Sequence, residues 1–409
     1  MKNLEDLIDC IVIGGGAAGF FAALSHKEHH PKDHVLILEK SNKLLQKVLL
    51  SGGGRCNVTH DCSDNAILCQ HYPRGYKSLR SLFEQFNCED TQAWFKKAGV
   101  KLKTERDGRV FPQSNQAQSI KEALLEKTKQ AKIKIWTQYS IAKLNKTKEG
   151  FEILSDQHPP LYCHKLILAT GSSRSGYSLV KQLNLQLISP LPSLFSFKIK
   201  DECLLKLQGL SVQDTAITIN KKTENGPLLI THWGLSGPAI IKASAWQAKW
   251  LYEQQYQSTC KINWLKNYTH DQIHLRLTKS AQQNSKKKIF NKSPFLELPL
   301  RLWQYLCQKS KLNEDTLWQD IKHKSFQRLS ETLQHQHLNI DGKGAFKEEF
   351  VTCGGIDLKS LHIKNMEVKN IPNLHIAGEL TNADGLTGGF NFQLCWASGW
   401  VAGKSPIQK

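Results

Sequence analysis

Asp9–Ile13 (D-C-I-V-I) is a compact apolar run that stops at Gly14-Gly15-Gly16-Ala17-Ala18-Gly19, and helix-forming residues follow from Phe20 to His26. That pattern predicts a strand, a tight turn and a helix in this order. A second run, His34–Leu38, ends at Glu39. A third, Lys165–Leu168, ends in Ala169-Thr170-Gly171, and a fourth, Leu374–Ile376, in Ala377-Gly378-Glu379. The same strand-then-turn pattern near both ends predicts an α/β domain built from 1–190 and 346–409, with an insertion at 191–345 between them. Pro190-Leu191-Pro192 reads as the linker into that insertion. Alternating segments such as Ser196–Ile199 and Ala216–Ile219 read as strands, and Thr231–Pro238 as a turn-rich corner. Asp271–Ser280 and Pro294–Leu312 read as helices, after which Gly342–Gly344 leads to a strand-like Glu349–Cys353. The insertion is therefore expected to be β-rich over 191–245 and 335–345, and helical over 246–334.

A chain of 409 residues is long for one core and suggests two or three compact units. Lys and Arg total 55 against 36 Asp and Glu, a net charge of +19. Such an excess bears on partners, permitting RNA or anionic cofactors, and not on fold. No window approaches ~18 uninterrupted apolar residues, which argues against a membrane-spanning helix. The acidic start, with Glu5, Asp6 and Asp9, does not read as an export signal. With eleven cysteines and no C-x-x-C pair, the expectation is a cytoplasmic protein with reduced thiols.

Gly14, Gly16 and Gly19 fit G-x-G-x-x-G between a strand and a helix, the context in which that spacing means dinucleotide binding. The first glycine serves the turn, the second lets backbone approach a pyrophosphate, and the third packs helix on strand. Ala17 and Ala18 then open a helix whose N–H groups face the phosphates. Glu39, followed by Lys40, stands twenty residues after Gly19, where an acid meets ribose hydroxyls. A second glycine loop follows soon after, Ser51-Gly52-Gly53-Gly54-Arg55-Cys56-Asn57. NAD does not need it, but an extended FAD does, along its ribityl and ring portions.

These segments resemble the BaiN/RdsA-like flavoproteins, a branch of the FAD-binding two-dinucleotide-motif superfamily. The resemblance rests on GGGAAG, SGGGRCNVT, DGRVFPQS (Asp107–Ser114), THWGLSGPA (Thr231–Ala239), VTCGGI (Val351–Ile356) and AGELTNADGLTGGFNFQ (Ala377–Gln393). It implies a Rossmann-like FAD-binding domain interrupted by an inserted β-barrel-like domain that carries a helical subdomain. It also implies non-covalent FAD, with NAD(P)H as a transient electron donor. Two activities are associated with such proteins: ene reduction of steroid-like small molecules, and reduction of uridine to dihydrouridine in large-subunit ribosomal RNA. The loop Ser172–Tyr177 is shorter than in many relatives, and Asn382 stands where they often carry Asp, leaving Asp384 as the loop's acid.

The expected cofactor contacts are the residues named above, together with Ala169, Thr170, Gly171, Gly378, Glu379, Asp384 and Gly388-Gly389-Phe390-Asn391. The last four open a C-terminal helix whose N–H groups would face the flavin pyrimidine edge. Two side chains are candidate proton donors. One is Cys56, with Arg55 beside it expected to lower its pKa; the other is His232. Cys56 and Cys62 have five residues between them, which does not match a disulfide-reductase dithiol. Neither H-E-x-x-H nor paired C-x-x-C supports a metal site. Lys286-Lys287-Lys288 lie in a basic stretch that is either a solvated face or an RNA-backbone contact. The acceptor is thus a small molecule or RNA, and the rival reading is a non-catalytic flavin- or RNA-binding module.

Overall fold

The computed structural model describes residues 7–344 and 351–408. The sequence-predicted start of the return strand, at Glu349, lies outside the described residues, as do Met1–Asp6. The chain forms two compact units, one from the residues up to Pro190 and from Thr352 onward, the other from Leu191 to Val351.

In the first unit, strand β1 (Leu7–Ile13) pairs in parallel with β2 (Val35–Leu38) on one side and with Leu161–Leu168 on the other. Lys134–Trp136 extends the parallel sheet beyond β2, and Leu374–Ile376 extends it beyond Leu161–Leu168. β2, Leu374–Ile376 and the C-terminal halves of β1 and Leu161–Leu168 are buried, as the centre of a parallel sheet requires, whereas Lys134–Trp136 is a largely exposed edge. Helix α1 (Ala17–His29) returns from β1 to β2 and packs on the C-terminal helix, Phe390–Lys404. The chain connects β1 to neighbours on opposite sides, so a crevice opens at its C-terminal end, the usual ligand site of such sheets.

In the second unit six strands close a barrel: Phe197–Ile199, Gly234–Ser236, Lys222–Ile230, Ser211–Ile219, Gln257–Asn263 and Gln336–Lys343. Helices His270–Gln283, Leu300–Lys309 and His323–His335 cover it, around a core that includes Trp264, Trp303 and Leu333. The expected division of the insertion needs correcting at three points. Gln257–Asn263 is a barrel strand inside the segment read as helical, with Cys260 and Ile262 turned inward. Pro238–Trp246 is a helix inside the segment read as β-rich, started by Pro238 after Gly237, because proline at the first helical position costs no hydrogen bond. The helix expected from Pro294 begins only at Leu300, since Pro299 caps it from outside.

Candidate functional site

The crevice is a cavity of about 490 Å³ in the first unit. Its lining includes Gly14, Gly16, Ala17, Ala18, Glu39, Lys40, Ala169, Thr170, Gly171 and Glu379 among the residues singled out in the sequence. The turns that meet there are set level by backbone bonds: Gly14 N donates to Leu38 O, Ala169 N to Ile13 O, and Ala377 N to Leu168 O. Gly14 sits at φ +114, and a Cβ on it would lie 2.4 Å from Ala169 O, so only glycine fits. Gly19 is there for packing: its Cβ would meet Gly14 O at 1.9 Å. Gly16 differs from both. Its backbone is extended (φ −97°, ψ −173°) and nothing lies within 4 Å of where its Cβ would go. No part of the described chain demands glycine there, which fits a residue kept small for a ligand lying over the first turn of α1.

Polar groups line the same crevice. Glu39 accepts from Gly15 N and from Ser41 N, each at 2.8 Å, and each of its oxygens keeps a lone pair for a hydroxyl. Glu379 pairs with Lys47, which also donates to Ser172 Oγ at 3.1 Å. Lys47, Tyr139, Ile141, Phe392 and Cys395 are among the further wall residues that were not singled out. Tyr139 and Ile141 come from a loop with no motif of its own, so no local signal marks them.

The second glycine loop does not line this cavity; it is joined to the C-terminal helix instead. Helix α2 (Gln46–Gly54) breaks at Ser51, and Gly52 and Gly53 take left-handed conformations. The chain then enters strand β3 (Thr59–His60). The Asn57 carboxamide accepts from Gly389 N at 2.9 Å and donates to Thr59 O at 3.0 Å. Trp396 Nε1 donates to Val58 O at 2.8 Å, and Thr59 Oγ1 to Gln393 Oε1 at 2.7 Å. From the other side Tyr72 OH donates to Phe390 O at 2.7 Å, and Arg74 pairs with Asp384. Asn391 closes the turn by bonding both N and O of Gly385, at 2.9 and 2.8 Å. Gly378 N is held by Ser398 Oγ at 2.8 Å.

Three expectations change here. Asp384 is not a lining residue: it is 0% exposed and its carboxylate is taken by Arg74. Arg55 does not activate Cys56, because its guanidinium pairs with Glu105 at 2.7 Å and lies 3.9 Å over the Phe111 ring. The Cys56 thiol is 0% exposed, and burial pushes it up to about 12. Lys288 is not a free cation, since Asp315 holds it at 2.6 Å. His232 is exposed in the second unit, edge-on to Trp233 at 4.3 Å. Among the described residues no His, Cys, Asp and Glu cluster could hold a metal, and no helix is long and apolar enough to cross a membrane.

Known proteins match along nearly the whole chain. The "3-dehydro-bile acid delta(4,6)-reductase" of Clostridium scindens is 27% identical, over 97% of this chain and 98% of its own. The "Ribosomal RNA dihydrouridine synthase" of Escherichia coli is 28% identical, over 98% of each. Among solved structures, the 3-ketosteroid-delta4-(5alpha)-dehydrogenase of Rhodococcus jostii superposes with a TM-score of 0.52 at 12% identity, covering 99% of this chain and 98% of that one. That likeness bears on the fold alone. The HI0933-like protein Rossmann domain matches residues 8–405, and the chain belongs to that family.

Proposed function

We propose that this protein is an FAD-dependent oxidoreductase that reduces a C=C bond conjugated to a carbonyl, and that its acceptor is a uridine in structured ribosomal RNA. The observation that carries the cofactor assignment is Gly16, a glycine that neither its backbone angles nor its neighbours require. FAD supplies two-electron chemistry when bound, taking hydride from NAD(P)H and delivering it to the acceptor's double bond.

The protein's own residues have separable tasks in this reading. The start of α1 presents the unpaired N–H groups of Ala17, Ala18 and Gly19 to the pyrophosphate. Glu39 offers its remaining lone pairs to the ribose, and the Lys47–Glu379 pair stands beside the ribityl chain. The N–H groups that open the C-terminal helix serve the flavin pyrimidine edge, in a turn held by Asn57 and Asn391. Reduction of the double bond also needs a proton. Cys56 is sealed from solvent, so of the two candidate donors His232 is the one free to meet an acceptor.

Charge favours RNA over a small apolar acceptor. Lys286, Lys287 and Lys292 are exposed and have no carboxylate partner among the described residues. The aromatic side chains beside the cluster, Phe290, Phe295 and Trp318, are buried and cannot stack on bases. This surface therefore suits phosphates and not base edges. The small-molecule reading draws on the bile acid reductase, similar at almost the same identity. The decisive test has two steps. The yellow protein should bleach with NAD(P)H and re-oxidise with a ribosomal RNA fragment, and ribosomal RNA from a deletion strain should lack one dihydrouridine by nucleoside mass spectrometry. An unchanged nucleoside profile, with re-oxidation by a 3-oxo-steroid, would move the acceptor to the small-molecule class. We also place the protein in the cytoplasm, because none of the described cysteines is in a disulfide.

A further inference from the structure

His60 was not singled out in the sequence, yet the structure surrounds it with the residues of three motifs. Its Nδ1 lies 3.0 Å from Gly388 O, an acceptor, so Nδ1 carries the proton and donates it there. The ring stacks on Phe390, the first residue of the C-terminal helix, with centroids 4.7 Å apart and planes 28° apart. His71 stacks on the same phenyl ring at 4.2 Å and 9°. The other edge of His60 faces Gly108 of the D-G-R-V-F-P-Q segment, where a Cβ would lie 2.4 Å from Nε2. Gly108 therefore leaves room for this imidazole, which explains a motif that the cavity does not use. Beside it, a Cβ on Gly389 would fall 2.5 Å from the Thr59 carbonyl, so β3 and the turn are in backbone contact.

We propose that His60 is a positioning residue for the flavin: its Nδ1–H holds the Gly388 carbonyl and its ring braces Phe390. The N–H groups at the start of the C-terminal helix are thereby fixed toward the cofactor's pyrimidine edge. Asn57 holds Gly389 N from the same segment, so His60 and Asn57 grip the carbonyl and the N–H of one peptide, the Gly388–Gly389 unit. The inference rests on the FAD reading given above and adds to it which side chain sets the turn's orientation. Only the nitrogen at the Nδ1 position does the holding; Nε2 points at Gly108 and makes no hydrogen bond within the described protein.

The test compares two amides. Asn at 60 places its NH₂ where Nδ1 stands, and Gln places it near Nε2. FAD affinity of the apoprotein is measured by flavin fluorescence quenching, and the midpoint potential of the bound flavin by dye equilibration. His60→Asn should bind FAD within about twofold of wild type at an unshifted potential. His60→Gln and His60→Leu should bind it about fivefold more weakly, the value of one neutral hydrogen bond, with a more negative potential. Gly108→Ala, which drives a methyl into the ring from the opposite side, should match His60→Leu. Equal behaviour of Asn and Gln, or a wild-type potential in His60→Leu, overturns the proposal. A wild-type protein that binds no flavin would instead sink the FAD reading, so the two failures are distinguishable.

Discussion

Lys165 should make the first unit more stable as pH rises, against the trend of the rest of the protein. It is 0% exposed on strand Leu161–Leu168. Its ammonium donates to Gly403 O at 3.2 Å and to Ser405 O, and lies 3.5 Å from His26 Nδ1, with no carboxylate in contact among the described residues. Burial lowers its pKa from 10.5 to about 8. Below pH ~8 the amine is charged in both folded and unfolded chains, and folding carries the full cost of burying the charge. Between ~8 and ~10.4 the unfolded chain keeps the proton and the folded one does not, so stability rises with pH through that window. The span of about 2.5 pH units corresponds to about 3 kcal/mol at most. Buried thiols act in the opposite sense: Cys56 and Cys260 are both pushed up to about 12, so their unfolded forms ionise first. Only a difference isolates the lysine. Wild type and Lys165→Met are compared by pulse proteolysis in urea at pH 7 to 10.5, quantified on a peptide of the first unit. The stability of wild type minus that of the variant should rise by about 3 kcal/mol over the range. Parallel curves would refute the argument.

Gly16→Val should leave thermal stability unchanged while FAD content falls to roughly a tenth or less, because the new side chain meets only ligand. Gly399→Ala should do the reverse: its Cβ would lie 2.4 Å from Ala18 O, so the unit loses about 1–3 kcal/mol, read as a lower Tm with or without flavin. Cys56→Ala should keep turnover, whereas His232→Gln should lower kcat by about 10²–10⁴-fold if it is the acid; the opposite ranking would restore the thiol. Changing Lys286, Lys287 and Lys292 together to Gln should flatten the salt dependence of RNA binding by ~0.7–0.9 per lost phosphate contact; parallel log–log slopes would make this a solvated face. Below pH ~6.5 the unfolded chain protonates His26 while burial holds the folded imidazole down to about 3, so wild type should lose stability progressively on acidification and His26→Phe should lose less.

What could be read from the sequence was whatever backbone geometry imposes at fixed spacing. Gly14, Gly19 and Glu39 stand where strand, turn and helix force them, so a pattern finds them without any knowledge of the rest. Residues whose role depends on distant chain were invisible. Arg74 meets Asp384 across 310 positions, and His60 meets Gly388 across 328. Lys165 sits in C-H-K-L-I-L, where nothing says that its ammonium will be buried by carbonyls from the far end of the chain. The barrel strand Gln257–Asn263 was hidden for another reason. Only Cys260 and Ile262 of its residues are buried, too short an alternation to stand out between helices.

The helix pair α1 and Phe390–Lys404 explains why a cation is tolerated behind the sheet. The two helices pack closely because Gly399 and Gly403 bring their backbone against Ala18 O and Ala22 O, where a Cβ would lie 2.4 and 2.2 Å away. In the proposed reading both N-termini serve the cofactor region, α1 at the crevice and its partner at the Gly388–Gly389 turn. The last turns of both helices therefore converge on the opposite side, where unpaired carbonyls carry partial negative charge. Lys165 answers the carbonyls of Gly403 and Ser405 there, and His26, in the last turn of α1, bridges Asp33 at 2.9 Å. An apolar side chain would remove the donor that Lys165 gives to Gly403 O and Ser405 O, and a carboxylate would add to their charge. The Lys165 ammonium donates to them, and the partial negative charge of the helix ends offsets part of the cost of burying it. The arrangement that, in the proposed reading, turns two helix N-termini toward a dinucleotide thus creates, at the other end, the site that the Lys165 amine fills.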